Sequence, residues 1–100
     1  MRIITRKTLL SFWTKHPLAE QPLKAWFDEA KNDVWGSPND IKYHYKSASI
    51  IDAKRVVFNI KGNDYRLVTD IEYHLGIIFI VWIGTHAEYD KLNIKKLKYD

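Results

Sequence analysis

His86 and Tyr89, three residues apart in the segment THAEYDKL, are the pair in this sequence best suited to proton chemistry. An imidazole titrates near pH 6.5 and can act as acid or base, and a phenol beside it can donate or accept a hydrogen bond. Arg66 adds a planar guanidinium whose fork can hold two phosphate oxygens. Lys61 and Asn63 sit in a Lys-Gly-Asn turn and offer an ammonium group and an amide, while Lys54, Arg55 and the C-terminal lysines extend a positive field that can track a nucleic-acid backbone. Each residue also has an ordinary reading. The tyrosine can pack a short helix on a sheet, Arg66 can pair with Asp70 or Glu72, and lysines can simply solvate an edge.

Other chemistries find no support in the residues. Cysteine is absent, which excludes a thiolate nucleophile, a disulfide framework and a zinc ribbon. No H-E-x-x-H pair or tight carboxylate cluster suggests a metal site, no glycine pattern suggests a phosphate or dinucleotide loop, and no G-x-S-x-G suggests a serine hydrolase. Any reaction therefore runs on His, Tyr, Arg and Lys, with no metal and no cofactor expected. The net charge of +4 and pI near 9.3 favour a polyanionic partner without establishing one. The longest apolar run, residues 76–84, would cross only about half of a bilayer as a helix. With no signal-peptide pattern at the start, a cytoplasmic protein with no membrane partner is expected.

These side chains need a scaffold, and the sequence predicts one of α+β class, expected as a single domain over residues 1–100. MRIIT reads as a first strand, and Thr5 is placed to cap a helix with its hydroxyl. That helix carries Leu9, Phe12 and Trp13 on one stripe and stops before Pro17. A second helix starts near Glu20 to Pro22 and carries Leu23, Trp26, Phe27, Ala30 and Val34, with Gly36 to Asp40 supplying turn chemistry at its end. Residues 41–52 alternate Ile41, Tyr43 and Tyr45 with Lys42, His44 and Lys46, the pattern of an edge strand or an irregular connection. RVVFNI, YRLVTDIEY and IIFIVWI then form an antiparallel meander with glycine-bearing links. On the middle strand Arg66 faces away from Leu67 and Ile71. Gly84 releases the chain, and Thr85 with Glu88 has the spacing of a capping box for a short C-terminal helix holding His86 and Tyr89.

The segments RVVFNIKGNDYRLV and WIGTHAEYDKL, in this order near the end of a 100-residue chain, resemble the HigB-type toxins of bacterial toxin–antitoxin pairs, within the wider RelE-like group of mRNA-cleaving toxins. The resemblance covers nearly the whole chain; GNDYRL and GTHAEYD are its specific parts. It implies two N-terminal helices on one face of a small antiparallel sheet and a short C-terminal helix. It also implies a metal-independent endoribonuclease, an mRNA interferase, acting on mRNA under translation on the ribosome. The implied partner is a cognate HigA-like helix-turn-helix antitoxin, and operator DNA is met only through that complex.

By the same resemblance Arg66 matches the strand arginine of a Y-R-L motif, His86 stands in G-T-H where RelE relatives often carry a basic residue, and Tyr89 matches the aromatic that follows. These three are the expected catalytic residues, with Lys61, Asn63, Arg55 and Lys54 expected to bind RNA. The chemistry is economical, because RNA carries its own nucleophile in the 2′-hydroxyl. The protein need only move protons and stabilise charge on phosphate. The competing reading is a non-catalytic RNA- or protein-binding module on the same basic sheet. A DNA-binding repressor is disfavoured because the second helix is mixed in charge.

Overall fold

A computed structural model describes residues 1–99. β1 (Arg2–Ile4) leads into α1 (Arg6–Lys15), a short 3-10 turn at Pro17–Ala19, and α2 (Glu20–Asn32). α3 (Pro38–His44) and β2 (Ser49–Ile50) follow, then β3 (Arg55–Ile60), β4 (Tyr65–Glu72), β5 (Ile77–Thr85) and α4 (His86–Tyr89). The five strands lie in the order β1-β5-β4-β3-β2. The meander is present as expected, but the sheet is mixed rather than antiparallel, because β1 joins β5 in parallel with Arg2 opposite Ile77. Parallel partners need a long crossover, and the whole intervening chain supplies it here.

The core lies on one face of the sheet. Leu9, Trp13, Leu23, Trp26, Ala30, Trp35 and Ile41 meet Val56, Phe58, Ile60, Leu67, Ile71, Ile78, Ile80 and Ile83 there, so three helical segments cover that face rather than two. α3 takes the first part of the segment expected over 41–52 as an edge strand or irregular connection, and β2 supplies a two-residue edge strand later in it. Ile41 is fully buried and Tyr45 packs on the core, whereas Tyr43 is 80% exposed. The relevant spacing was therefore i, i+4 rather than i, i+2, with Pro38 in the first turn where its missing N–H costs nothing. Val34 lies beyond the end of α2 and is exposed, so it does not extend that helix's apolar stripe.

The opposite face carries the candidate chemistry, and two local features shape it. In the β4–β5 ladder Val68 pairs with Trp82 and Thr69 with Ile80, leaving Val81 as an extra residue on β5. This bulge lets Ile78, Ile80 and Ile83 all reach the helix side while Trp82 and Gly84 turn to the face of Val68 and Arg66. Strict alternation would have sent Trp82 into the core.

The C-terminal segment is the second feature. It crosses the far half of this face, which is therefore not open throughout. The Arg55 guanidinium donates to the carbonyls of Ile94 and Leu97, and Phe79 meets Tyr99 at a centroid distance of 4.9 Å. Val57 and Val68, outside the helix-side cluster, are 2% and 0% exposed. The Thr5 hydroxyl, expected to cap α1, bonds the Tyr99 hydroxyl instead. Thr5 sits in the left-handed region with φ 75° and makes no side-chain cap. That conformation is unusual for a β-branched residue.

Candidate active site at the turn and short helix

The β3–β4 turn and α4 meet at one end of the sheet. Tyr65 and Arg66 open β4 opposite Thr85 and Gly84. The His86 N–H donates to the Asp64 carbonyl at 3.0 Å, which latches α4 to the turn. α4 itself begins with the capping box expected from sequence. The Thr85 hydroxyl accepts from the Glu88 N–H, and Glu88 accepts from the Thr85 N–H at 2.9 Å. The Thr85 N–H, the largest cause, and the Thr85 hydroxyl, which also donates to Glu88 Oε1, hold the Glu88 carboxyl below the usual range.

Arg66 is anchored to the same turn. Its Nη1 donates to the carbonyls of Asn63 at 3.0 Å and Tyr65 at 3.3 Å, and its Nη2 donates to Asn63 Oδ1 at 3.2 Å. Among the described residues three of its five N–H donors are thus engaged and two remain for another acceptor. The guanidinium lies 5.8 Å from the centre of the Tyr89 ring, within cation–π range. Tyr89 in turn faces Trp82 at 6.4 Å, so an aromatic wall borders the arginine. Lys61 has left-handed φ 53° and pairs with Asp64 at 2.9 Å, a bond that raises its pKa.

Five of the seven expected site residues therefore gather here: Lys61, Asn63, Arg66, His86 and Tyr89. Arg55 and Lys54 do not. Arg55 lies four residues from Asn59, the ladder partner of Arg66, which is about 13 Å along the strand. It is 5% exposed and grips Asp70 through Nε and Nη2, both at 2.8 Å, so its guanidinium is occupied internally. Lys54 is exposed at the same distant end and pairs with Glu72 at 2.6 Å. Arg55 thus organises the chain instead of presenting charge.

The sequence reading passed over three participants. Asp64 ties Lys61 and α4 together, Asp90 lies 3.3 Å from His86, and Trp82 forms the wall. Asp90 was visible as an i, i+4 neighbour of His86, whereas Trp82 was hidden by the bulge.

Gly84 does not release the chain; it makes room for Trp82. A Cβ there would collide with Cη2 and Cζ2 of that ring and come within 3.0 Å of Glu88 Oε1. Gly84→Ala is therefore expected to swing the indole off Tyr89 and to cost about 1 to 3 kcal/mol, as overpacked sites do. Urea unfolding with tryptophan fluorescence checks both effects. An unchanged spectrum and midpoint would contradict this role.

The matches to known proteins cover this same region. The sequence model of the HigB toxin, described as a RelE-like toxic component of a toxin–antitoxin system, matches residues 19–92. The mRNA interferase toxin HigB of Escherichia coli (strain K12) is 29% identical over 93 residues, covering 90% of this chain and 88% of its own. The mRNA interferases HigB of Escherichia coli O157:H7 and Shigella flexneri match with the same identity and coverage. With α2, the meander, the latched turn and α4 all inside the matched span, this chain belongs to the HigB family of RelE-like toxins of toxin–antitoxin systems.

Proposed function

We propose that this protein is an mRNA interferase of RelE-like fold that cuts translated mRNA through attack of the RNA's own 2′-hydroxyl, halting translation and growth until an antitoxin binds it. The observation that supports this reading is that the turn bearing Lys61, Asn63 and Arg66 is joined by a backbone bond to α4, which bears His86 and Tyr89, with Arg66 set against Asn63 and the Tyr89 ring. The names of the relatives supply the substrate class.

In this reading the scissile phosphate sits against the free edge of Arg66, with Lys61 adding charge. The 2′-oxygen attacks phosphorus, the 2′-O–P bond forms and the P–O5′ bond breaks. One proton leaves the 2′-hydroxyl and one reaches the 5′-oxygen, so none is consumed overall. His86 exchanges one of these protons, while Tyr89 supports the site and, with Trp82, offers a face for a base to stack on. The partner is a HigA-like helix-turn-helix antitoxin, the message is met on the ribosome in the cytoplasm, and operator DNA is contacted only within the antitoxin complex.

Cleavage products test the chemistry directly. RNA cut without added metal should end in a 2′,3′-cyclic phosphate and begin with a 5′-hydroxyl; a strict magnesium requirement would overturn the mechanism. Intact message in translating cells that express the protein would favour a binding module instead.

A further inference from the structure

Asp90 stands one turn beyond His86, with its Oδ2 3.3 Å from His86 Nε2. The helix dipole does not favour a carboxylate there. It lies at the C-terminal end of α4, the negative end of the helix dipole, whereas the capping residues Thr85 and Glu88 occupy the opposite end. Burial does not account for it either, since the two side chains are 47% and 62% exposed. The backbone of α4 is already held by the His86 N–H bond to Asp64 and by the Asp90 N–H bond to the His86 carbonyl at 3.0 Å. What the Asp90 carboxylate adds is an acceptor for the imidazole itself.

We propose that Asp90 is a positioning residue for His86, and that His86 meets the RNA through Nδ1. A carboxylate accepts only, so the Nε2 facing it carries the hydrogen and the neutral ring keeps its lone pair on Nδ1. The neutral ring takes a proton at Nδ1 and the imidazolium gives one up there. In both directions the Nε2 side of the ring stays against Asp90, which orients it, as a carboxylate does behind a catalytic histidine. The proposal rests on the cleavage reading above and adds a residue and an atom to it.

The test compares single-turnover cleavage of ribosome-bound message by the wild type, Asp90→Ala, Asp90→Asn and Asp90→Glu, with thermal unfolding as the fold control. Asp90→Ala should lower the maximal rate by roughly 10- to 100-fold, part of the 10²–10⁴-fold that a positioned acid–base group contributes. The half-saturating concentration should stay within about two-fold, because Asp90 does not touch the RNA. Asp90→Asn should lose rate without loss of fold, and Asp90→Glu should retain more rate than Asp90→Ala by restoring the acceptor. An Asp90→Ala variant cleaving at the wild-type rate, or losing only affinity, overturns the proposal, as does an Asp90→Glu variant no better than Asp90→Ala. Arg66→Ala separates the two levels. If it is inactive while Asp90→Ala is fully active, only the Asp90 role fails; if both cleave normally, the reading of the whole site fails.

Discussion

Arg66→Ala and His86→Ala are each expected to lower the rate of mRNA cleavage by on the order of 100-fold or more, the loss typical when one charge-stabilising donor or proton-transfer group is removed. Expression of either variant should no longer arrest growth. Fold loss is not the expected cause. His86 is exposed, its side chain meets only the equally exposed Asp90 among the described residues, and its bonds to Asp64 and from the Asp90 N–H run through the backbone, so alanine keeps the latch to Asp64. Arg66 is half-buried and bonds the turn at Asn63, whose own exposure lets water replace the lost donors. His86→Ala should therefore stay within about 0.5 kcal/mol, the range of ordinary surface substitutions, and Arg66→Ala, which gives up hydrogen bonds to the turn, should cost about 1 kcal/mol. Growth on induction, with circular dichroism of the purified variants, checks the pair. A folded variant that stays fully toxic removes that residue from the site.

Arg55→Met should do the reverse, destroying stability before chemistry. Removing one partner of a buried ion pair costs about 3 to 5 kcal/mol because the other charge is left behind, here the Asp70 carboxylate at 23% exposure. Set against a total stability of about 5 to 15 kcal/mol, that is a large fraction. The carbonyls of Ile94 and Leu97 lose their donor at the same time, so the C-terminal segment should lift from the sheet and Tyr99 from Phe79. The double variant Arg55→Met/Asp70→Leu should recover much of the loss, since it removes the stranded charge along with its partner. Urea unfolding gives the energies, and trypsin cleavage at Lys95, Lys96 and Lys98 reports the segment's release. An Arg55→Met protein as stable and as protease-resistant as the wild type would show that the pair contributes nothing.

Much of the scaffold was legible locally. The meander rests on β-branched runs separated by glycine turns, and α1 and α2 on apolar stripes, the first ended by Pro17, whereas the Gly36 to Asp40 stretch expected to end α2 leads into α3 after the helix has stopped at Asn32. The capping box of α4 could be read because Thr85 and Glu88 satisfy each other within one turn. α3 could not, because Ile41, Tyr43 and Tyr45 fit an edge strand as well as a helix until the core selects Ile41 and Tyr45. The setting of Arg55 is illegible locally for a related reason. A cation on a strand looks the same in sequence whether it faces water or a buried carboxylate from the next strand.

What the sequence by itself determined is therefore the inventory and much of the facing. Residue types limited the chemistry to His, Tyr, Arg and Lys, and period-two alternation put Arg66 opposite Leu67, because successive strand side chains must point to opposite faces. Tertiary structure decided which of those groups meet. The extra residue Val81 turns Trp82 toward Arg66 and Tyr89, and the Arg55–Asp70 clasp seats the C-terminal segment and closes half of the face. A backbone bond from His86 to Asp64 joins two motifs more than twenty residues apart. Each of these depends on ladder register and on partners remote in sequence, quantities to which local periodicity is blind.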